Sequence, residues 1–300
     1  MKRLSKAQGI LFFYLFDLAL LLLFVLSFLP FMHRRQPRSR ELVLLNPAVK
    51  DSVCAIELSK NDGDSFFGGR SVSLVKRGSF WLGSSSDGNN EFIWPADTQL
   101  VEKLLSLSSS SVTSYELSTS RRDWGDFGVR EQEAFSLRFS DASRRTLSSL
   151  LFGNEDSLTG RVSVRSAADD TVYAVDDGIL PLLSADESFW ADPFLYPQCL
   201  TGLGRAEADG QLRRGKLENI RPREGLTADY SAKLYFGNGS EIQFSLYRKD
   251  SSYIVIPTLL PGPAASEADR QAVQAINYRY SISGVTLTNL LEECALAAEP

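Results

Sequence analysis

Two pairs of adjacent acids, Asp169-Asp170 and Asp176-Asp177, flank the short apolar run Val172–Val175. Two carboxylates held about 5–9 Å apart could cleave a glycosidic bond, one as acid and one as base or nucleophile. Paired acids at strand ends are more commonly solvated turn residues, and that is the reading taken here, with an envelope hydrolase kept as an alternative. The chain holds one histidine, His33. It stands at the end of an apolar run, so Ser–His–Asp and Cys–His catalysis and histidine metal ligation are excluded from the body. Serines are abundant but have no histidine base, and a Ser–Lys dyad stays open. No phosphate-binding GxxxxGK[ST] loop is present. Gly202-Leu203-Gly204 lacks the third glycine and the strand–helix context of a dinucleotide loop.

Cys54, Cys199 and Cys294 form no CxxC and no His–Cys cluster. Cys54 alternates with Ile56 and Leu58 on the apolar side of a strand; a Cys199–Cys294 disulfide is a minor option. Trp81, Trp94, Trp124 and Trp190 are read as core, with a binding groove as the other use. The sequence thus predicts no catalytic residue, no cofactor-binding residue, no cofactor and no metal ligand.

The elements that would position these residues follow from periodicity. Val53–Leu58 alternates like a half-buried strand. Val72–Val75 and Ser79–Leu82 read as a hairpin around Lys76–Gly78. Asp97 caps a helix carrying Leu100, Val101, Leu104 and Leu105 at helical spacing. A second round has strands at Phe135–Phe139, Leu147–Phe152, Arg161–Val164 and Thr171–Val175, then a short helix from Asp177. A third has Ala232–Phe236, Glu241–Tyr247 and Tyr253–Ile256, a helix Ser266–Asn277 capped by Ser266, a strand Tyr278–Ser283 and a last helix Thr286–Cys294. The strands are too closely spaced for parallel crossovers. The predicted fold class is α+β, an N-terminal transmembrane helix followed by repeated antiparallel β-meander-plus-helix units.

Ile10 to Met32 is a run of 23 residues, 17 of them Leu, Ile, Phe or Val. As a helix it would reach ~34 Å, against a hydrocarbon core of ~30 Å. Its one charge, Asp17, costs ~3 kcal/mol on insertion scales, which the apolar residues outweigh at ~0.3–0.6 each. The run exceeds a signal peptide's core and no small-x-small site follows, so it reads as an uncleaved anchor. Asp17 is either a polar residue tolerated near the headgroups or a candidate contact for a partner's membrane helix. Lys2, Arg3 and Lys6 precede the run and Arg34, Arg35, Arg38 and Arg40 follow it, so flanking charge does not decide orientation. The expected organisation is a cytoplasmic N-terminus (1–9), the anchor (10–32), a basic linker (33–41), a first α+β domain (42–197), a linker or loop (198–214) and a smaller α+β unit (215–295).

Seven of the 32 basic residues and one of the 37 acidic ones precede Glu41, so the rest carries 25 against 36, a net charge of −11. That balance excludes a nucleic-acid binder.

Phe92-Ile93-Trp94-Pro95-Ala96-Asp97, Leu104-Leu105 and Asp126-Phe127-Gly128-Val129 resemble a bacterial domain-of-unknown-function family, number 4340. Leu151-Phe152-Gly153, Thr171–Val175, the helix to Trp190, Asn277–Ser283 and Leu287–Leu291 extend the likeness over roughly residues 42–295. The resemblance implies an N-terminal anchor, an extracytoplasmic body and association with ABC-type transport systems, including gliding-linked ones; it carries over no catalytic residue. The Arg-rich flank after the anchor departs from the family. The expected function is a non-enzymatic, single-pass protein of the bacterial inner membrane, its bulk extracytoplasmic. It would serve as auxiliary or scaffold subunit of such a complex, with a permease or ATPase as partner. An envelope ligand- or glycan-binding module is the alternative.

Overall fold

A computed structural model describes residues 14, 16–24, 39–60, 70–87, 90–195, 197, 218–223 and 228–297. The chain divides into two compact units, Met1–Arg40 and Glu41–Pro300.

In the first unit, residues 14 and 16–24 are helical. A helix of nine consecutive residues reaches ~14 Å, about half of a hydrocarbon core. Among the described residues no helix is long and apolar enough to cross a membrane. The expected transmembrane helix is corrected accordingly; the remaining residues of Ile10–Met32 lie outside the described residues, as do the 1–9 segment and the whole 198–214 linker. The described helical residues present large apolar side chains on every side, with Tyr14, Phe16, Leu18 and Leu20 through Phe24 all exposed.

The second unit is built from antiparallel strands. Its first sheet has ten, in the order β1-β6-β10-β9-β8-β7-β2-β3-β4-β5. They are β1 (Ser39–Val43), β2 (Ala55–Lys60), β3 (Arg70–Arg77), β4 (Phe80–Asp87), β5 (Asn90–Pro95), β6 (Ser111–Ser118), β7 (Phe135–Ser140), β8 (Thr146–Glu155), β9 (Val162–Ser166) and β10 (Val172–Val175). The second sheet runs β11-β15-β14-β13-β12. Its strands are β11 (Glu218–Pro222), β12 (Tyr230–Tyr235), β13 (Glu241–Lys249), β14 (Ser252–Leu260) and β15 (Tyr278–Ser283). The helices are α1 (Thr98–Ser109), α2 (Glu187–Trp190), α3 (Glu267–Gln274) and α4 (Gly284–Ala297).

With 45% of the chain in strands and few helices, the molecule is mostly β, and the expected α+β class is corrected. Two physical reasons account for the difference. The first two meanders do not stay separate: β2 pairs with β7 from Ala55↔Ser140 to Lys60↔Phe135, so one meander satisfies the open edge of the other. The helix expected after Asp177 is a 3-10 turn, Asp177–Leu182, with Pro181 inside it, where proline removes a helical donor. The strand Ser111–Ser118 is a further addition, formed where a polar run ends α1.

Each sheet buries one face. Ile56, Leu58, Leu74, Leu137 and Phe139 alternate on the inner face of the first sheet and are fully buried. The α1 residues Val101, Leu104 and Leu105 pack in the same core. Asp97 caps α1 as expected, accepting from the Gln99 and Leu100 N–H groups at 2.9 and 3.1 Å. In the second sheet Ile242, Phe244 and Leu246 are fully buried beneath α4, which packs on β12, β14 and β15.

The outer face is closed at the β8–β10 end by the loop 121–134. The Trp124 indole donates to the Asp170 carbonyl at 3.1 Å. The Arg165 guanidinium lies 3.6 Å from the Trp124 ring centre and donates to the Val129 carbonyl at 3.4 Å. The register of β8 shifts between Phe152 and Glu155, and there the Asn154 N–H donates to the Phe127 carbonyl at 2.9 Å. A Cβ on Gly153 would sit 2.0 Å from that same carbonyl oxygen. Gly153→Ala is therefore expected to destabilise the protein by about 1–3 kcal/mol in urea denaturation. Gly178→Ala, whose Cβ would meet nothing within 4 Å, should stay within about 0.5 kcal/mol of wild type.

Candidate binding site

The opposite end of that outer face is a trough. Residues paired directly across antiparallel strands share a face. Ser59 pairs with Ser71 and Glu57 with Ser73. Ser73 and Val75 in turn pair with Ser84 and Leu82. On the next strand Ile93 faces Ser84 and Glu91 faces Ser86. The pleat therefore places five serines, three apolar residues and two glutamates on one surface across β2–β5. The other surface of the same strands is core, with Trp81 and Trp94 fully buried. Trp94 lies across Gly83, where a Cβ would come within 2.1 Å of the ring.

The trough has two compartments. Helix α3 and its C-cap cover the first, a cavity of about 560 Å³ floored by Val75, Leu82 and Ile93, roofed by Ala268, Gln271, Ala272 and Ala275, and flanked by Lys76 and Arg77. The second, about 400 Å³, is lined by Ser59, Ser71, Ser73, Ser84 and Ser86 with Glu57 and Glu91. Ser84 and Glu91 belong to both.

Helix α3 is pinned at each end. At its start Ser266 accepts from the Asp269 N–H at 3.1 Å and donates to its carboxylate at 2.7 Å. The same carboxylate takes the Ser79 N–H at 2.9 Å and the Ser79 hydroxyl at 3.0 Å, in the turn between β3 and β4. Gly78 makes that approach possible: its φ is +60° and a Cβ would lie 2.1 Å from the carboxylate oxygen. Just past α3, the Asn277 N–H donates to the Ile93 carbonyl at 3.0 Å. Its side-chain oxygen accepts from the Ile93 N–H at 2.5 Å. The donors from Ser79 and Ser266, the Ser79 N–H first, hold the Asp269 carboxyl below the usual carboxylate range.

The residues singled out by sequence lie elsewhere. Asp17 is exposed within the helical residues 16–24. The acid pairs stand at opposite ends of β10, six residues or ~20 Å apart along an extended strand, beyond the reach of a carboxylate dyad. Asp170 pairs with Arg121 at 2.9 Å and Asp176 with Arg161 at 3.2 Å. Trp190 is fully buried with Trp81 and Trp94. Trp124 is held between Arg121 and Arg165. Cys54 is half-buried and Cys294 buried, while Cys199 lies outside the described residues. Among the described residues no three of His, Cys, Asp and Glu are grouped to hold a metal. Sequence reasoning passed over the trough. Its trace was the i, i+2 serines at Ser71 and Ser73 and at Ser84 and Ser86.

One family's sequence profile, described as Domain of unknown function (DUF4340), matches residues 92–276. The chain belongs to the DUF4340 family. The match starts on β5 and ends beside Asn277, so in this DUF4340 protein it takes in the trough's last strand and its helical cover, while β2–β4 precede it. No curated protein and no solved structure matches the chain.

The Asp269 carboxyl predicts a pH dependence of defined sign. A depressed folded-state pKa contributes stability that is present above the unfolded value, ~3.9, and is lost as pH falls through the folded value. Asp269→Asn keeps acceptors for Ser79 but removes the charge. Its urea midpoint is expected below wild type at pH 7, with the gap closing as pH falls below the ordinary carboxylate range.

Proposed function

We propose that this DUF4340 protein is a non-enzymatic docking subunit, attached to the bacterial inner membrane by its apolar leading residues and with its body extracytoplasmic. The setting is an ABC-type, gliding-type transport complex, in which it holds a permease or ATPase partner as auxiliary or scaffold. The observation that carries this reading is the trough. It is a built concavity whose polar groups, among the described residues, are serine hydroxyls, the Gln271 amide, Lys76 and Arg77 at one end, and two carboxylates set on β2 and β5, roughly 14 Å apart across three strand spacings. Glycoside hydrolysis needs its carboxyls within about 9.5 Å. The exposed apolar side chains from Phe16 to Phe24 support attachment to lipid, and the transport setting rests on the family likeness.

The glycan-binding alternative has less behind it. Sugar rings are held well by exposed aromatic faces, and among the described residues none lining the trough is aromatic.

The test uses full-length protein extracted from membranes in mild detergent. An ABC-type permease or ATPase is expected to copurify. Ser71→Arg, placed on the exposed floor, should lose that partner while leaving the circular dichroism unchanged. Retention of the partner by Ser71→Arg would remove the trough from the docking reading.

A further inference from the structure

We infer that the trough recognises an extended peptide segment carrying an apolar side chain and, two residues away, a lysine or arginine. This rests on the docking reading above and specifies its ligand.

The covered compartment calls for the apolar side chain. Its floor is Val75, Leu82 and Ile93, and its cover is alanine at three positions with Gln271, while Lys76 and Arg77 stand at its far end. A volume of about 560 Å³ lies within the ordinary range for a ligand cavity, ~300–1,000 Å³, and leaves room for a leucine or an aromatic ring. The open compartment calls for backbone. Each serine hydroxyl both donates and accepts, which suits a peptide main chain, where every residue offers one N–H and one C=O.

Charge selects the second side chain. Among the described residues the carboxylates on the trough are Glu57 and Glu91, while its cations Lys76 and Arg77 stand at the turn end of β3, about 17–20 Å along the strands from the level of Glu91. Glu57 faces Arg138 at 3.4 Å, whereas Glu91 is exposed at the junction of the two compartments. At the Glu91 end an anionic headgroup or phosphate would meet repulsion, and a cation attraction. The body's net charge of −11 steers cations toward it over longer range.

Spacing completes the pattern. Ile93 and Glu91 stand two residues apart on one face of β5, so about 6.8 Å separates the apolar compartment from the carboxylate. An extended ligand lying along β5 has the same two-residue repeat. An apolar residue over Ile93 therefore sets the residue two positions away over Glu91.

The experiment measures fluorescence anisotropy of labelled pentapeptides with detergent-solubilised full-length protein. One peptide has leucine second and lysine fourth, with serine elsewhere; controls replace the lysine by glutamate or the leucine by serine. The leucine–lysine peptide should bind about ten-fold or more tightly than either control. Glu91→Lys should reverse the order of the lysine and glutamate peptides. Ala275→Phe, at an exposed position lining the cavity, should abolish the advantage of leucine over serine and leave the lysine preference in place. Equal binding of all three peptides would overturn the inference. So would no binding of any of them while Ser71→Arg still releases the membrane partner, an outcome that leaves the docking reading standing. No peptide binding together with a partner retained by Ser71→Arg would remove both.

Discussion

The backbone of Ile93 has to find its hydrogen bonds outside its own sheet. It lies on β5, the last strand of ten, where N–H and C=O groups would otherwise face solvent or another chain. Asn277 supplies a donor and an acceptor to that one residue. A bare sheet edge is thereby closed by a segment of the second sheet's connection. The consequences reach the binding surface directly. Asn277 follows α3 by three residues, so fixing it fixes where the helix ends, and Asp269 on Ser79 fixes where it begins. The helix then spans the outer face at a height set by two clamps, with Ala272 and Val273 packed into the core. Alanine at two of its facing positions and at its C-cap leaves the adjoining space open.

The other end of the same face shows what happens without such a gap. The loop 121–134 comes down onto β8–β10 until Arg165 is only 2% exposed. Its guanidinium is spent on carbonyls at Ser166, Asp169 and Val129 and on the Trp124 ring. Burial lowers its affinity for a proton, an effect that nearby acids oppose. The Asp126–Val129 stretch that signals the family is the part of this loop that seats on the Gly153-Asn154 irregularity. Geometry requires a glycine on each side of this contact: Gly128 in the loop sits at φ +65°, and Gly153 on β8 has no room for a Cβ. A motif of that kind identifies the family without identifying any chemistry, which is why the resemblance was specific and yet silent about a reaction.

Local features were legible and partnerships were not. Asp97 and Ser266 announced their helices because a cap is a matter of two or three residues. The hairpin turn at Gly237–Gly239 and the alternation of Ile242, Phe244 and Leu246 are equally local. Nothing local states that β2 pairs with β7, 80 residues on, and the fusion of two meanders into one sheet shifted the class from α+β to mostly β. The trough was missed for the same reason. Ser71, Ser73, Ser84 and Ser86 each read as a solvated strand residue until the register laid them side by side. The acid pairs read as solvated turn residues, with a hydrolase as the alternative. Near as they are in sequence, an extended strand holds its two ends as far apart as a chain of that length allows.

The contrast between those acids and Glu91 bears on what the molecule can do. Asp170 and Asp176 each hold an arginine at a partly exposed site, where such pairs contribute little energy and mainly set geometry. Asp269 is also committed, to three donors. Chemistry at neutral pH needs a group whose proton affinity is moved toward 7 by burial or by a like charge at close range. The depressed carboxyls, Asp141, Asp156, Glu241 and Asp269, are moved away from 7, each by hydrogen bonds to its charged form. Such groups hold their charge at neutral pH. Glu91, set at the junction of an apolar cavity and a hydroxyl floor, offers charge and shape together, which is what the proposed docking role would use.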